Sequence, residues 1–441
     1  MAVGSSWSAA LSKRRFRTVL LIWIGLPIVS VYLWGAVVQP VLFSAYQGDF
    51  QESYMRAASR IAAGQDPYDL CRTYGCFEPT GPQYVMPPLL AWLLQPAIHV
   101  DQNIVAVGVV VALNVAFAVF LATTLRALRV ADWQLAALLV LVAMTFGMTG
   151  NIDEGQVNPI LLGLSGVWLL AWVDGRWWGG VALGAAVAIK VIQAPTALLV
   201  LIARRWSMFI TATATGLVLW LVATPQYLFE YLFQVAPQVS GGTGLYENQS
   251  PGGTITRLIE PATFLGAVYG SPPVARVLTL VVSIAVLAST LWLLRRAARD
   301  ATGRVLEGAA IVAAGPLIVT YSWSTHLVLL LLPILVLLAW SIRRQDWKVL
   351  GLLATGYLLI NPGHHWFQAL LVSGYRDLVV LRLMAELGVI GVFLIWIAAL
   401  MAVRRERSMS LGRAAERRRE LKIAQQPWFG AEQQDPAGLP N

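Results

Sequence analysis

Long apolar runs recur along the whole 441-residue chain and leave little polar sequence between them. Only 12% of the residues are charged, about half the share usual in soluble proteins, whereas 57% are hydrophobic. So few charges cannot cover a water-soluble surface. At about 20 apolar residues per bilayer crossing, the chain is predicted to be an all-α polytopic membrane protein with about 12 transmembrane helices (about 11–13).

The predicted spans differ in length. Most are long enough to cross the bilayer, but the neighbouring segments 179–190 and 194–204 are short, and each reaches only part of the way. The pattern therefore predicts two half-helices that meet at membrane depth. The full set of predicted spans is 18–38, 104–125, 133–149, 159–173, 179–190, 194–204, 207–223, 273–294, 306–322, 326–342, 348–360 and 380–403.

Basic residues are distributed unevenly between the predicted loops. With Lys13, Arg14, Arg15 and Arg17 placed in the cytoplasm, most of the 32 Lys and Arg residues fall in inner segments. This asymmetry follows the positive-inside rule, so both termini are predicted to be cytoplasmic in a multi-pass protein of the cell membrane. The net charge of +9 then reflects topology, and no nucleic-acid partner is expected.

Two outer loops, 39–103 and 224–272, are too long to be simple connectors. Because both contain aromatic and apolar residues, we expect them to fold and to form the functional face of a single integral-membrane domain, 1–403. Residues 404–441 are predicted to be a basic cytoplasmic tail. It is expected to lie along anionic headgroups at first and to be partly disordered beyond them.

The first outer loop contains two helical patterns. Apolar residues recur at three- and four-residue spacing up to Gly64, which predicts a short amphipathic helix on the bilayer surface. Its apolar positions are Phe50, Tyr54, Ala57, Ala58 and Ile61. Residues 86–98 are too few to span and predict a second interfacial or partly dipping helix, with a distorted span as the alternative.

The only two cysteines, Cys71 and Cys76, both lie in this first outer loop. An oxidising compartment permits a disulfide between them, and two free thiols are the alternative. No histidine lies close enough in sequence to suggest that they bind a metal. No cofactor or resident metal is predicted, although the sequence leaves a divalent-metal requirement open.

Ionisable residues at membrane depth need a specific reason, because burial in lipid is costly. Lys190 lies between the two half-helices, where it either reaches out to the headgroups or provides a cation for an anionic ligand such as a phosphate. His326 lies at the outer end of a span. It is either an ordinary interfacial histidine or part of a site.

Three polar segments of the outer face allow two interpretations each. Asp49 precedes Glu52 by three residues, a spacing typical of a helix N-cap, yet a positioned carboxylate is also a candidate base. Residues 151–159 form either an acidic turn or a pocket wall. Residues 247–253, followed by Arg257, form either a turn or a surface that contacts sugar hydroxyls and a phosphate.

Six segments, in this order, resemble those of glycosyltransferase family 87, which are integral-membrane enzymes of the C-type superfamily. The segments are GDFQESYMRAASRIAAGQDPYD after the first span, Tyr84 to Pro88, GQVNPILL at 155–162, AAVAIKVIQAP at 185–195, ENQSPGGTITR at 247–257 and SWSTHLVLLLLP at 322–333. The resemblance implies the C-type fold. It also implies inverting transfer of a sugar from a polyprenyl-phosphate donor to a glycan or glycolipid acceptor on the extracytoplasmic face.

The resemblance also implies roles for individual residues. Asp49 would be the general base, with Glu52 as the fallback. The donor phosphate would be bound by Lys190, Arg257 and His326. The residues implied to line the sugar and acceptor pocket are Glu52, Tyr84, Gln156, Asn158, Asn248 and Gln249. Mannose is the commonest donor sugar in such enzymes, and arabinofuranose is the alternative.

A multi-span transporter or flippase of a lipid-linked or polar substrate is the main competing interpretation. Twelve spans with a broken helix pair and a buried lysine also describe such proteins. The sequence shows no repeated halves, and its polar residues concentrate in two long loops on one side. This arrangement favours a reaction at the membrane surface over passage through the membrane.

Overall fold

A computed structural model describes residues 3–42, 47–74, 76, 83–223, 225–264, 270–298, 300–372 and 378–425. In this part of the chain, seven helices are long and apolar enough to cross a membrane. They are Arg14–Leu42, Gln102–Ala127, Trp206–Ala223, Pro273–Leu294, Ala301–Ile318, Ser324–Arg344 and Val379–Gly412. The shorter apolar helices are Trp133–Met144, Asn158–Asp174, Gly179–Ile189, Val191–Ile202 and Trp347–Asn361.

Several helices are longer than the apolar stretches that they contain. The first, Val3–Leu33, continues through a π-helical turn, Trp34–Val38, into Gln39–Leu42. Near the C-terminus, Trp347–Val372 is followed by Leu378–Gln425. The final helix therefore includes the first part of the basic tail, and residues 426–441 lie outside the described residues.

The remaining helices are short and lie mostly between the apolar ones. The α-helical ones are Arg56–Ala62, Asp69–Tyr74, Leu89–Leu93, Met148–Asp153, Pro225–Glu230, Ala236–Ser240 and Pro251–Ile259. The π-helical and 3₁₀ ones are Phe50–Met55, Tyr231–Val235, Gln95–His99 and Pro261–Thr263. Two of the apolar helices begin with a 3₁₀ segment: Val191–Gln193 precedes Ala194–Ile202, and Ser324–Leu330 precedes Leu331–Arg344. An isolated β-bridge joins Asn248 to Trp323.

The helical structure agrees with a polytopic membrane protein, and each predicted span coincides with an apolar helix. The predicted total of about 12 crossings stays a prediction, because several of these helices are too short to cross a bilayer of about 30 Å alone. Ala301–Ile318 and Ser324–Arg344 lie at the centre of the protein, because 78% and 83% of the residues in their apolar stretches are buried. Arg14–Leu42, at 17%, is the least buried of the seven.

Close glycine packing joins the first half-helix, Gly179–Ile189, to Trp206–Ala223. A Cβ atom at Gly180 would lie 2.3 Å from the Met208 carbonyl oxygen, and one at Gly184 would lie 2.3 Å from that of Ala212. Two glycines four residues apart therefore let the two backbones touch, as small residues do between membrane helices. This contact fixes the helix that carries Lys190 at its end.

The helix breaks at Lys190, as the sequence predicts. Lys190 is extended (φ −154°, ψ 119°) between an 11-residue helix and a 9-residue helix. At about 1.5 Å per residue, these helices are about 17 and about 14 Å long, roughly half the bilayer core each. The two half-helices therefore present Lys190 at the point where they meet.

The amphipathic pattern from Phe50 to Ile61 is confirmed, but its apolar face contacts protein rather than lipid. Phe50, Tyr54 and Ile61 are buried in a cluster that also contains Tyr68 and Tyr231. The expectation of a helix lying with this face on the bilayer is therefore wrong. The reason lies in the tertiary structure, because the aromatic residues Tyr68, Tyr84 and Tyr231 pack against this face.

Residues 86–98 form two helical pieces, Leu89–Leu93 and Gln95–His99, of five residues each. Neither piece alone is long enough to cross the membrane, and the choice between an interfacial helix and a distorted span stays a prediction. Cys71 and Cys76 form a disulfide, which excludes the alternative of two free thiols in this structure. The bond closes a short loop beside the aromatic cluster.

Candidate functional site

Asp49 does not act as a helix cap. It has helical backbone angles (φ −65°, ψ −34°), and its side chain makes no capping hydrogen bond to the described helix that follows. Instead, the Gln156 side-chain amide donates to the Asp49 Oδ2 atom. The Tyr54 hydroxyl donates to the other end of that amide, with 2.8 Å between the Tyr54 oxygen and Gln156 Oε1.

A tight backbone contact brings Asp49 and Gln156 together. The Phe50 amide donates to the Glu154 carbonyl oxygen at 3.1 Å. Gly155 has a φ of +63°, and a Cβ atom there would lie 2.5 Å from Phe50 Cβ. Only glycine satisfies both the left-handed backbone and the close approach. The glycine of the 155–162 segment therefore fixes where the two outer segments meet.

The surroundings of Asp49 have opposing effects on the pKa of its carboxyl group. Burial raises the pKa of the Asp49 carboxyl, whereas the hydrogen bond from Gln156 and the positive charge of Lys190 lower it. Burial also raises the pKa of Glu154 and of Glu247, and the negative charge of Asp49 adds to both effects. Asp49 is therefore the carboxyl of this group that a cation and an amide donor both stabilise in its ionised form, as a general base requires.

Lys190 is buried in the protein and does not extend to the headgroups. Its side chain is 6% exposed, and its ammonium donates to Asn158 Oδ1 at 3.1 Å. Asn158 donates in turn to Asn151 Oδ1 at 2.9 Å, and Asn151 donates to the Thr325 carbonyl oxygen. An ammonium has three donors. Among the described residues only Asn158 accepts from it, which leaves two donors for a ligand.

His326 lies beside Lys190 with unused hydrogen-bonding groups. It is 2% exposed and is close enough to Lys190 to be influenced by its charge. Neither ring nitrogen has a hydrogen-bond partner among the described residues, and the same holds for the Ser322 and Thr325 hydroxyls. Buried polar groups are normally paired. Four unpaired polar atoms within five residues beside a buried cation therefore indicate a place where a polar ligand binds.

Asn248 joins two segments of the candidate site through hydrogen bonds. Its amide accepts from the backbone of Ser250 and Ser322 and donates to the carbonyl oxygens of Thr243 and Thr320. All four of its hydrogen-bonding positions are therefore in use. The residue ties segment 243–250 to segment 320–323. Its predicted contact with the sugar stays a prediction.

Gln249 and Tyr84 are also held by the protein. The Gln249 amide donates to the Tyr246 carbonyl oxygen, whereas its Oε1 atom is buried without a partner in the described part of the chain. The Tyr84 hydroxyl donates to the Pro87 carbonyl oxygen at 2.6 Å and accepts from the Ala91 amide. Tyr84 therefore positions the short helix after it. Glu52, the fallback base, has an exposed side chain.

Arg257 forms an ion pair with Glu386 in the last apolar helix. Its Nε and Nη2 atoms donate to the two carboxylate oxygens at 2.7 and 3.0 Å. Nη1 donates to the carbonyl oxygens of Leu245 and Asn248, and Nη2 also contacts the Thr254 hydroxyl. All five guanidinium donors are therefore engaged. A contact between Arg257 and a phosphate, as the resemblance implies, would require one of these acceptors to be released.

The Arg257–Glu386 pair predicts a large effect on stability. Replacing Arg257 with leucine leaves the Glu386 carboxylate without its cation, and breaking a buried pair typically costs about 3–5 kcal/mol. We expect a lower thermal unfolding midpoint for the purified protein in detergent. The double variant Arg257→Leu/Glu386→Leu should recover much of that loss. An unfolding midpoint for Arg257→Leu equal to that of the parent would contradict the structural role.

The sequence alone did not single out several members of this site. Tyr54 fits the apolar side of its helix, so the sequence did not indicate that its hydroxyl forms a hydrogen bond within the site. Glu386 is an acidic residue inside a predicted span, which was a usable signal for a buried partner. Asn151, Ser322 and Thr325 are polar residues in short turns, and their roles depend on contacts across the fold.

The fold and the site together define a class of protein. The chain is an all-helical membrane protein in which the segments of Asp49 and Gln156 and a broken helix pair bring together a carboxylate, an ammonium and polar groups that have no hydrogen-bond partner among the described residues. No group of three or more His, Cys, Asp or Glu side chains among the described residues is arranged to hold a metal ion.

A model of glycosyltransferase family 87 matches residues 84–320, which is more than half of the chain. The chain belongs to glycosyltransferase family 87, and the predicted membership is confirmed. The matched residues include Gln156, Asn158 and Lys190, whereas Asp49 and His326 lie outside them. No curated protein matches the chain.

Proposed function

We propose that the protein transfers mannose from a polyprenyl-phosphate donor to a hydroxyl of a glycan or glycolipid acceptor at the extracytoplasmic face of the cell membrane. The single observation that carries this proposal is that the charge of the buried Lys190 ammonium acts on the half-buried Asp49 carboxyl, while Asn158 is the one described residue that accepts a hydrogen bond from that ammonium. Family membership supports transfer of a sugar and favours an enzyme over a transporter or flippase. The apolar helices around the site suit a donor that carries its own membrane anchor.

In the proposed reaction, Asp49 takes the proton of the acceptor hydroxyl. The acceptor oxygen forms a bond to the anomeric carbon while the bond from that carbon to the phosphate oxygen breaks. The electron pair of the broken bond stays with the polyprenyl phosphate. Because attack and departure occur on opposite sides of the carbon, the configuration inverts. A positioned carboxylate is the group that assists such an attack.

The leaving phosphate gains negative charge as the bond breaks, and Lys190 supplies the opposing charge. Two of its donors are available for phosphate oxygens, because Asn158 takes one of the three. The His326 ring nitrogens and the Ser322 and Thr325 hydroxyls, which have no partner among the described residues, lie in segment 322–326. Preorganised donors in a buried site stabilise such developing charge strongly. The site would thus have an acidic side for the acceptor and a cationic side for the donor.

A donor screen tests the proposal. Purified protein is incubated with an extract of membrane glycolipids and with synthetic polyprenyl-phosphate mannose, arabinofuranose or glucose, and release of polyprenyl phosphate is measured. We expect release with the mannose donor and an inverted anomeric configuration in the product. A nucleotide-linked mannose serves as the control donor and should give no transfer. Reaction with the nucleotide sugar, or with none of the three lipid donors, would refute the proposal.

A further inference from the structure

A chain of two hydrogen bonds connects Tyr54 to Asp49 through Gln156. The Tyr54 hydroxyl bonds to Gln156 Oε1 at 2.8 Å, and Gln156 Nε2 bonds to the Asp49 carboxylate. An ionised carboxylate only accepts hydrogen bonds, so the amide must present its NH₂ group to Asp49. Its oxygen then faces Tyr54, whose hydroxyl is free to donate. The hydrogen bond from Gln156 to Asp49 is strongest when Asp49 has lost its proton, because hydrogen bonds to an ionised carboxylate are stronger than those to a neutral carboxyl.

Tyr54 is itself firmly held. It is 1% exposed, and its ring makes edge contacts with Phe50 and Tyr84 at centroid distances of 6.2 and 6.3 Å. Burial keeps the pKa of its hydroxyl well above the usual value, so the group remains a neutral donor. The packing therefore places one hydroxyl hydrogen where it determines the orientation of the Gln156 amide.

We propose that Tyr54 and Gln156 are positioning residues that hold Asp49 in its ionised form and orient it toward the acceptor hydroxyl. This inference rests on the proposed role of Asp49 as the base. It adds a role for Gln156 to the predicted contact with a sugar, because one N–H and the oxygen of its amide bond Asp49 and Tyr54. Tyr54 acts on the reaction only through Gln156.

Other ionisable groups also act on Asp49, and they come from different segments. Lys190 at the helix break stabilises its negative charge, whereas Glu154 and Glu247 repel it. The removal of the Tyr54 hydroxyl leaves the charge of all three unchanged. A change in the titration of Asp49 in that variant is therefore attributable to the hydrogen-bond chain.

The pH dependence of kcat/KM tests the inference in Tyr54→Phe. Without the hydroxyl, the Gln156 amide is free to turn its oxygen toward Asp49, which disfavours the ionised form. The pKa of Asp49 should rise, so activity on the acid side should be lost at a higher pH. From the typical strength of a hydrogen bond to a charged group, we expect a shift of about one pH unit. This profile reports ionisation in the free enzyme.

A matched control comes from the same aromatic cluster. Tyr68 is also 1% exposed, and its hydroxyl donates to the Met86 carbonyl oxygen at 2.8 Å rather than to the Asp49 chain. Tyr68→Phe removes the same atoms and should keep the parent profile. Gln156→Met provides a second variant, because it removes the amide donor to Asp49 without adding a charge and should move the loss of activity on the acid side to a higher pH as well. That variant decides the question if Tyr54→Phe does not fold.

Three results would overturn the inference. The first is a loss of activity on the acid side in Tyr54→Phe and Gln156→Met that occurs at the same pH as in the parent. The second is an equal shift in Tyr68→Phe, and the third is a parent profile that shows no loss of activity on the acid side. Failure of the proposed function gives a different result. If Asp49→Asn retains parental turnover, the base assignment is wrong whatever the tyrosine variants show.

Discussion

Asp49→Asn is expected to reduce sugar transfer by about 10²- to 10⁴-fold, the usual contribution of a general base. Asparagine keeps the size of the side chain but cannot take the proton of the acceptor hydroxyl. It also presents no negative charge to Lys190 or to the Gln156 amide. The measurement is release of polyprenyl phosphate by the purified variant at equal protein concentration. The thermal unfolding midpoint should remain close to that of the parent.

Asp101→Asn is the matched control for this substitution. Asp101 is exposed and caps the helix Gln102–Ala127, where its carboxylate accepts from the Asn103 and Ile104 amides. Asparagine caps helices about as well as aspartate, so this variant should keep full activity. Near-parental transfer by Asp49→Asn would show that Asp49 is not the base. In that case, loss of transfer in Glu52→Gln would assign the role to the fallback carboxylate.

Lys190→Met is expected to lower turnover by about 10²- to 10³-fold, a range typical for loss of one preorganised group that stabilises developing charge. Methionine has a similar shape but cannot oppose the charge of the leaving phosphate. Because burial of an ammonium is costly, the thermal unfolding midpoint should stay level or rise while turnover falls. The measurement is kcat and donor KM, together with thermal unfolding in detergent.

This combination of readouts distinguishes the two roles of Lys190. If the ammonium mainly holds Asn158 in place, Lys190→Met should lower the unfolding midpoint and leave the kinetics of the folded protein unchanged. That result would assign Lys190 to the structure alone. Lys348→Met serves as the control, because Lys348 lies at the start of the helix Trp347–Val372 in a predicted inner segment. It should retain parental kinetics.

Local patterns predicted much of the fold. Apolar runs located the membrane helices. A segment in lipid must pair its own backbone N–H and C=O groups, so it forms a helix of consecutive apolar residues. The helix break at Lys190 was also visible, since the runs on both sides are too short to cross. The amphipathic helix near Phe50 followed from its spacing. What covers its apolar face did not, because spacing shows that a face is apolar and not which residues pack against it.

The candidate site was only partly predictable for the same reason. Asp49, Lys190 and His326 were identifiable as polar residues in unusual places and through the family resemblance. That Asp49 bonds Gln156 rather than its own helix depends on Gly155, which lets two segments about 100 residues apart touch. That Arg257 pairs with Glu386 depends on a contact between the second outer loop and the last helix.

The sequence by itself determined that this chain is a polytopic helical membrane protein, and it identified the family to which the chain belongs. It could do so because hydrophobicity, helix length and motif order are properties of neighbouring residues. Only the tertiary structure decided which polar groups neutralise one another and which remain unpaired. Hydrogen bonds and ion pairs form between residues that are distant in the sequence. Arg257 is therefore fully engaged, whereas Lys190 and His326 keep polar atoms without a partner in the part of the chain that the structure describes.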